Sequence, residues 1–165
     1  MRGIRGRALI VAMAAATALT LGWRTHAEAQ DASAGLAAWK RAACGDCHGW
    51  AAHGVKDDPE SPDAPNLRRT TLDRDVIREV VQCGRPRTEM PFHDSRAYTD
   101  DRCYGLVFAD LDRAPAKGAT LSASRIDAVT EYLMTWIVGR DVDLEFCGFY
   151  FNDPNHTRCR RYQQN

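Results

Sequence analysis

The chain has 165 residues, of which 22 are basic, 22 acidic and six cysteine. That length suits one domain with appendages, and the balanced charge gives none of the electropositive field that a nucleic-acid surface needs. Six cysteines in so short a chain point to a compartment where disulfides persist.

The first segment reads as an export signal. Arg2, Arg5 and Arg7 precede the uncharged run "ALIVAMAAATALTLGW", and Ala27-Glu28-Ala29 places small residues where a signal peptidase needs them. Cleavage after Ala29 is expected, with delivery to the periplasm. No stable membrane insertion is expected afterwards, because no later segment is long and apolar enough to fill the roughly 20 residues of a bilayer span. An uncleaved anchor is the alternative. Four basic and one acidic residue lie in residues 1–29, leaving 18 basic against 21 acidic groups, a net −3.

After a polar lead-in, "AGLAAWKRAACGDCHGWAAHG" is rich in helix formers, with Leu36, Trp39 and Ala43 spaced along one face. Gly45 can turn the chain near the end of that helix. "VKDDPESPDAPNLRRT" holds three prolines and reads as an irregular loop. A second helix is expected in "TTLDRDVIREVVQCG", capped by Thr70 or Thr71, with Gly84 at its exit. Its apolar stripe is Leu72, Val76, Ile77, Val80 and Val81.

Pro86 and Pro91 prevent that helix from continuing; a short helix is possible in "GLVFADLD". The strongest helix is "LSASRIDAVTEYLMTWIVG", capped by Ser122 and ended by Gly139, with Ile126, Val129, Leu133, Trp136 and Ile137 on one face. The tail beyond it is polar and aromatic, with a turn at Asp153-Pro154. No convincing run of strands is present, and the class is mainly α.

Residues 44–48, Cys44-Gly45-Asp46-Cys47-His48, place two thiols and an imidazole on one turn of chain. C-x-x-C-H is the pattern for attaching haem c. Each thiol adds across one vinyl group of the porphyrin, and the neighbouring histidine puts a ring nitrogen on iron. At this composition the pattern arises by chance about 0.006 times per chain. Two rivals exist for the cysteine pair. A thioredoxin-like redox site needs a βαβ setting, and a zinc site needs a second close ligand pair.

Cys83, Cys103, Cys147 and Cys159 allow three pairings. The local scheme, Cys83–Cys103 with Cys147–Cys159, is favoured because each bridge closes a turn-rich loop, stabilising by about 3 kcal/mol. Pairing between the two segments, or one reduced pair, is the alternative.

Haem iron takes a sixth ligand. Met90 lies in "RTEMPFH", an irregular segment that can bring its sulfur over the open face of a ring, and His/Met is a known ligand pair. His93, three residues along, competes with it. Met134 falls at the border of the last helix's apolar stripe and is expected to pack there. His53 is too near the attachment turn to reach the other face, and His156 is expected at the surface of the tail.

With these residues, the chain resembles the class I monohaem cytochromes c over roughly 33–138. An N-terminal helix runs into the C-x-x-C-H motif, Met90-Pro91 follows a middle helix, and an amphipathic helix closes the domain. The resemblance implies a cytochrome c-like helical domain around one covalent haem c, over 30–138, with an insert at about 91–120 and an extension at 139–165. It implies that Leu36 and Trp39 meet Val129, Leu133 and Trp136 where the first and last helices cross. It also implies that the Pro65 carbonyl accepts the second ring N–H of His48, with Leu67 against the haem edge. Arg68, Arg69 and Tyr98 are candidates for the haem propionates.

The expected function is one-electron transfer rather than catalysis, since both axial positions are filled by protein. The expected partners are redox proteins, an electron-donating dehydrogenase and an accepting oxidase or cytochrome, met by a monomer. One alternative is a haem subunit bound stably to a dehydrogenase, such as a quinoprotein alcohol dehydrogenase. Another is a haem sensor or peroxidatic enzyme with an open sixth position.

Overall fold

The computed structural model describes residues 32–163. The expected signal segment lies outside the described residues. α1 covers 32–41 and is followed, after a two-residue turn, by α2, Cys44–His48. α3 is Arg74–Cys83, α4 is Ala123–Trp136 and α5 is Leu144–Phe151. Three 3₁₀ turns, Leu67–Arg69, Phe108–Asp110 and Thr157–Tyr162, complete the regular structure. Among the described residues only isolated bridges, Phe92 with Lys117 and Cys103 with Leu106, have β character. The protein is mainly α.

Caps and apolar spacing explain these limits. The Asp73 carboxylate accepts from Val76 N–H at 2.9 Å, so the α3 cap is Asp73 and neither threonine expected there. Ser122 caps α4 as expected, by accepting from Arg125 N–H. α5 lies in the tail, where the sequence pattern predicts no helix. Its start is capped by Asp143, which accepts from Phe146 N–H at 2.8 Å. The expected helix in "GLVFADLD" shrinks to the single 3₁₀ turn at Phe108–Asp110.

α1 and α4 pack through one apolar cluster containing Leu36, Trp39, Val129, Tyr132 and Leu133, with Trp136 partly buried against it. Gly35 permits the crossing, since a Cβ there would lie 2.3 Å from the Ala128 carbonyl oxygen. α3 contributes Ile77 and Val81 to the same core, while Val76 from its expected stripe is exposed. Arg78 donates to Asp127 at 2.6 Å across the α3–α4 face, beside an Arg74–Glu131 pair. α5 lays Phe146 and Phe149 on the core, with Phe149 stacked on Trp136 at 4.7 Å.

A second, smaller cluster holds the insert. It consists of Cys83, Phe92, Ala97, Tyr98 and Cys103, with Leu106 and Leu111 packed against it. The bridges are the two local ones, Cys83–Cys103 and Cys147–Cys159. Few apolar residues converge in the insert, so its cross-link supplies what that small cluster lacks, while the second bridge pins the aromatic tail to the main core. Removing Cys147–Cys159 by paired alanine substitution is expected to cost about 3 kcal/mol. Urea unfolding of the variant beside the native chain measures it; an unchanged midpoint would contradict the expectation.

Candidate functional site

The bridges account for four cysteines and leave Cys44 and Cys47 as free thiols. Both are half-buried on α2. At 3.6 residues per turn, Cys44, Cys47 and His48 fall within an arc of about 100°. The turn is held from below by main-chain bonds. Gly49 N–H donates to Gly45 O at 2.7 Å, and Asp57 N–H reaches the same carbonyl at 3.2 Å.

His48 is buried, at 7% exposure, with Trp39 of α1 beside it at a ring separation of 6.2 Å. Its Nδ1 lies 3.0 Å from the Pro65 carbonyl oxygen, the partner that the resemblance implied. A carbonyl can only accept, so Nδ1 carries the proton and the neutral ring keeps its lone pair on Nε2. Burial lowers the His48 pKa, and the Pro65 bond opposes this only in part. The result is a neutral imidazole of fixed tautomer, the form in which histidine binds metals. Leu67, two residues after Pro65, packs half-buried against the main core, and its N–H donates to Ala52 O at 2.9 Å.

Desolvation pushes the Cys44 thiol up to about 12, and the neighbouring Cys47 adds to the rise. A thiol–disulfide exchange site needs the opposite shift, because the thiolate is its nucleophile. The surroundings agree, since among the described residues no strand precedes α2, and the helix is only five residues long. Among the described residues no three His, Cys, Asp or Glu side chains are gathered as a metal-ion site. The donor chemistry suits a haem instead. Two unbridged thiols would form the thioethers, and a bare imidazole nitrogen beside them would reach the iron.

Met90 and His93 lie on a different segment, which follows α3 and runs into the insert. Met90 is half-buried, with its N–H on Thr88 Oγ1 at 3.1 Å and its carbonyl accepting from Arg85 N–H at 3.1 Å. It belongs to neither apolar cluster among the described residues, whereas Met134 packs against the main core. Core filling, the ordinary use of a methionine, therefore accounts for Met134 and leaves Met90 without that role. His93 is 3% exposed, and its Nδ1–H donates to Ala119 O at 2.8 Å.

The propionate candidates have other occupations. Arg68 is buried beneath Ala51, with its Nε donating to that carbonyl at 2.6 Å and Nη1 to Arg140 O and Asp141 O at 3.0 and 3.2 Å. Its guanidinium lies 4.4 Å over the Phe146 ring, and burial lowers its pKa. Arg69 pairs with Asp141 at 2.9 Å, and the Tyr98 hydroxyl donates to Cys83 O at 2.7 Å. His156, expected at the surface, is half-buried and stacks on Phe151 at 3.8 Å.

Two neighbours of the site were not singled out from sequence as such. Trp50 follows the motif by two residues and is enclosed by Phe146, Tyr150 and Phe151 of α5. Asp57 ties the motif to the tail through Arg158 at 3.2 Å. The dense aromatic run "FCGFYF" was the available signal that the tail returns to the core. No family model matches the chain, nor does any curated protein or solved structure.

Proposed function

We propose that the chain is a periplasmic one-electron carrier with one haem c, attached through Cys44 and Cys47 and ligated by His48 and Met90. One observation carries the reading. A buried, neutral His48 with Nδ1–H committed to Pro65 shares a turn with the two cysteines that the disulfide network leaves out. The bound group would supply a ferric/ferrous couple. The polypeptide supplies attachment, orientation and exclusion of water.

Each residue has a separate task. Cys44 and Cys47 would each add S–H across a vinyl group, forming a carbon–sulfur bond and passing the hydrogen to the adjacent carbon. Pro65 fixes the plane and tautomer of His48, which raises the basicity of the ligating nitrogen. Met90 would offer a soft thioether, which raises the reduction potential relative to a second histidine. With His48 and Met90 both holding the bound group, the chemistry it would supply is one-electron exchange.

Expression with a haem-attachment system, followed by a pyridine haemochrome spectrum and intact mass, tests the reading. A c-type spectrum and one haem of added mass are expected; a colourless chain of polypeptide mass refutes it. Met90→Ala is expected to abolish the weak near-infrared band of oxidised His/Met haem and to lower the potential. An unchanged band would remove Met90 from this role.

A further inference from the structure

The segment that follows α3 and runs into the insert is gripped by main-chain bonds on both sides. Arg85 N–H donates to Met90 O, closing a turn over residues 85–90. Phe92 N–H then donates to Ala116 O at 3.0 Å, and Phe92 O accepts from Gly118 N–H at 2.9 Å. His93 is tied in three directions. Its N–H donates to Gln82 O at 3.1 Å, its carbonyl accepts from Leu121 N–H at 2.9 Å, and its Nδ1–H donates to Ala119 O at 2.8 Å.

These ties join the last turn of α3, the Met90 loop and the root of α4. The ion pairs Arg87–Asp112 and Glu89–Arg113 also bridge the loop and insert, but all four side chains are largely exposed and such pairs are worth little. The ring of His93 is the buried element. A Cβ placed on Gly118 would lie 2.6 Å from its Cε1 and 2.8 Å from its Nδ1. Only a residue without a side chain lets the insert backbone come edge-on against this imidazole.

We infer that His93 is a positioning residue, which locks the Met90 loop between α3 and the returning insert. The purpose of the lock rests on the proposed haem reading; the lock itself is a property of the polypeptide. Removing the imidazole leaves the Ala119 carbonyl without its donor and opens a void beside Gly118, so the loop loses its side-chain tie. Asparagine can still present an N–H near the position of Nδ1, whereas leucine cannot.

The test compares the native holoprotein with His93→Asn, His93→Leu and Gly118→Ala, by amide hydrogen exchange and by the oxidised spectrum. In His93→Leu, exchange at Phe92 and Leu121 is expected to rise about tenfold, the measure of one lost hydrogen bond. The pH at which the near-infrared band disappears is expected to fall as the loop loosens. His93→Asn is expected to restore both readouts, and Gly118→Ala, which displaces the ring without altering it, is expected to loosen the same amides.

Native exchange and an unchanged band in both His93→Leu and Gly118→Ala would overturn the inference. So would a native spectrum lacking the His/Met band that turns high-spin in His93→Asn, since His93 would then be the ligand. A colourless native chain ends the haem reading, yet its amide exchange still decides whether His93 holds the loop.

Discussion

Replacing both Cys44 and Cys47 by alanine is expected to yield an exported chain from which all pigment is lost under denaturing conditions. The native chain is expected to keep its haem through the same denaturing gel or acid–solvent extraction. The reason is covalency. On the proposed reading two thioethers would remove dissociation as an option, whereas ligation by His48 and one further side chain would persist only while the fold does. A single substitution is expected to leave one thioether and a partial effect.

The same substitutions should cost the fold little. Neither cysteine is in a disulfide, and both are half-buried on a five-residue helix. Loss of a thiol there is worth on the order of 1 kcal/mol. Loss of colour with a nearly native urea midpoint in the haem-free chains separates attachment from folding. Pigment that survives extraction in the double variant would sink the attachment reading.

Arg68→Leu is expected to cost about 2–3 kcal/mol of stability, the range for losing buried hydrogen bonds from a charged donor. Arg68 is only 4% exposed and serves carbonyls from two distant stretches, Ala51 after the motif and Arg140 and Asp141 after α4. Leucine would leave those oxygens without this donor and forfeit the stacking on Phe146. Gly139 N–H also donates to Arg68 O at 3.0 Å, so the residue anchors the start of the tail by its main chain as well. Arg69→Ala provides the contrast, because its Asp141 pair is exposed and worth less than about 1 kcal/mol. Equal urea midpoints for the two variants would show that Arg68 is not the joint between motif and tail.

The motif, the helices on either side of it and the two cystines could be read from residues in order, because each depends on neighbours close along the chain. Ser122 before an apolar stripe and two thiols three apart are local signals of this kind. The Asp73 cap shows the limit of such signals. Thr70, Thr71 and Asp73 are all competent, and the helix start that buries Ile77 and Val81 decides among them.

Tertiary structure alone decided the rest. Arg68 could have faced solvent or an acidic group, and its burial beneath Ala51 depends on the tail returning over the motif. α5 has no clean helical stripe in sequence, since nearly all its residues are apolar; it takes its place by enclosing Trp50 and stacking on Trp136. The Pro65 carbonyl meets His48 seventeen residues away, as the resemblance implied, whereas no signal in the sequence paired His93 with Ala119 across the insert. The sequence determined which residues can donate, accept, ligate or cross-link. Which of them meet was settled by burial of the whole chain, because a polar group removed from water must find whichever partner the packed core brings to it.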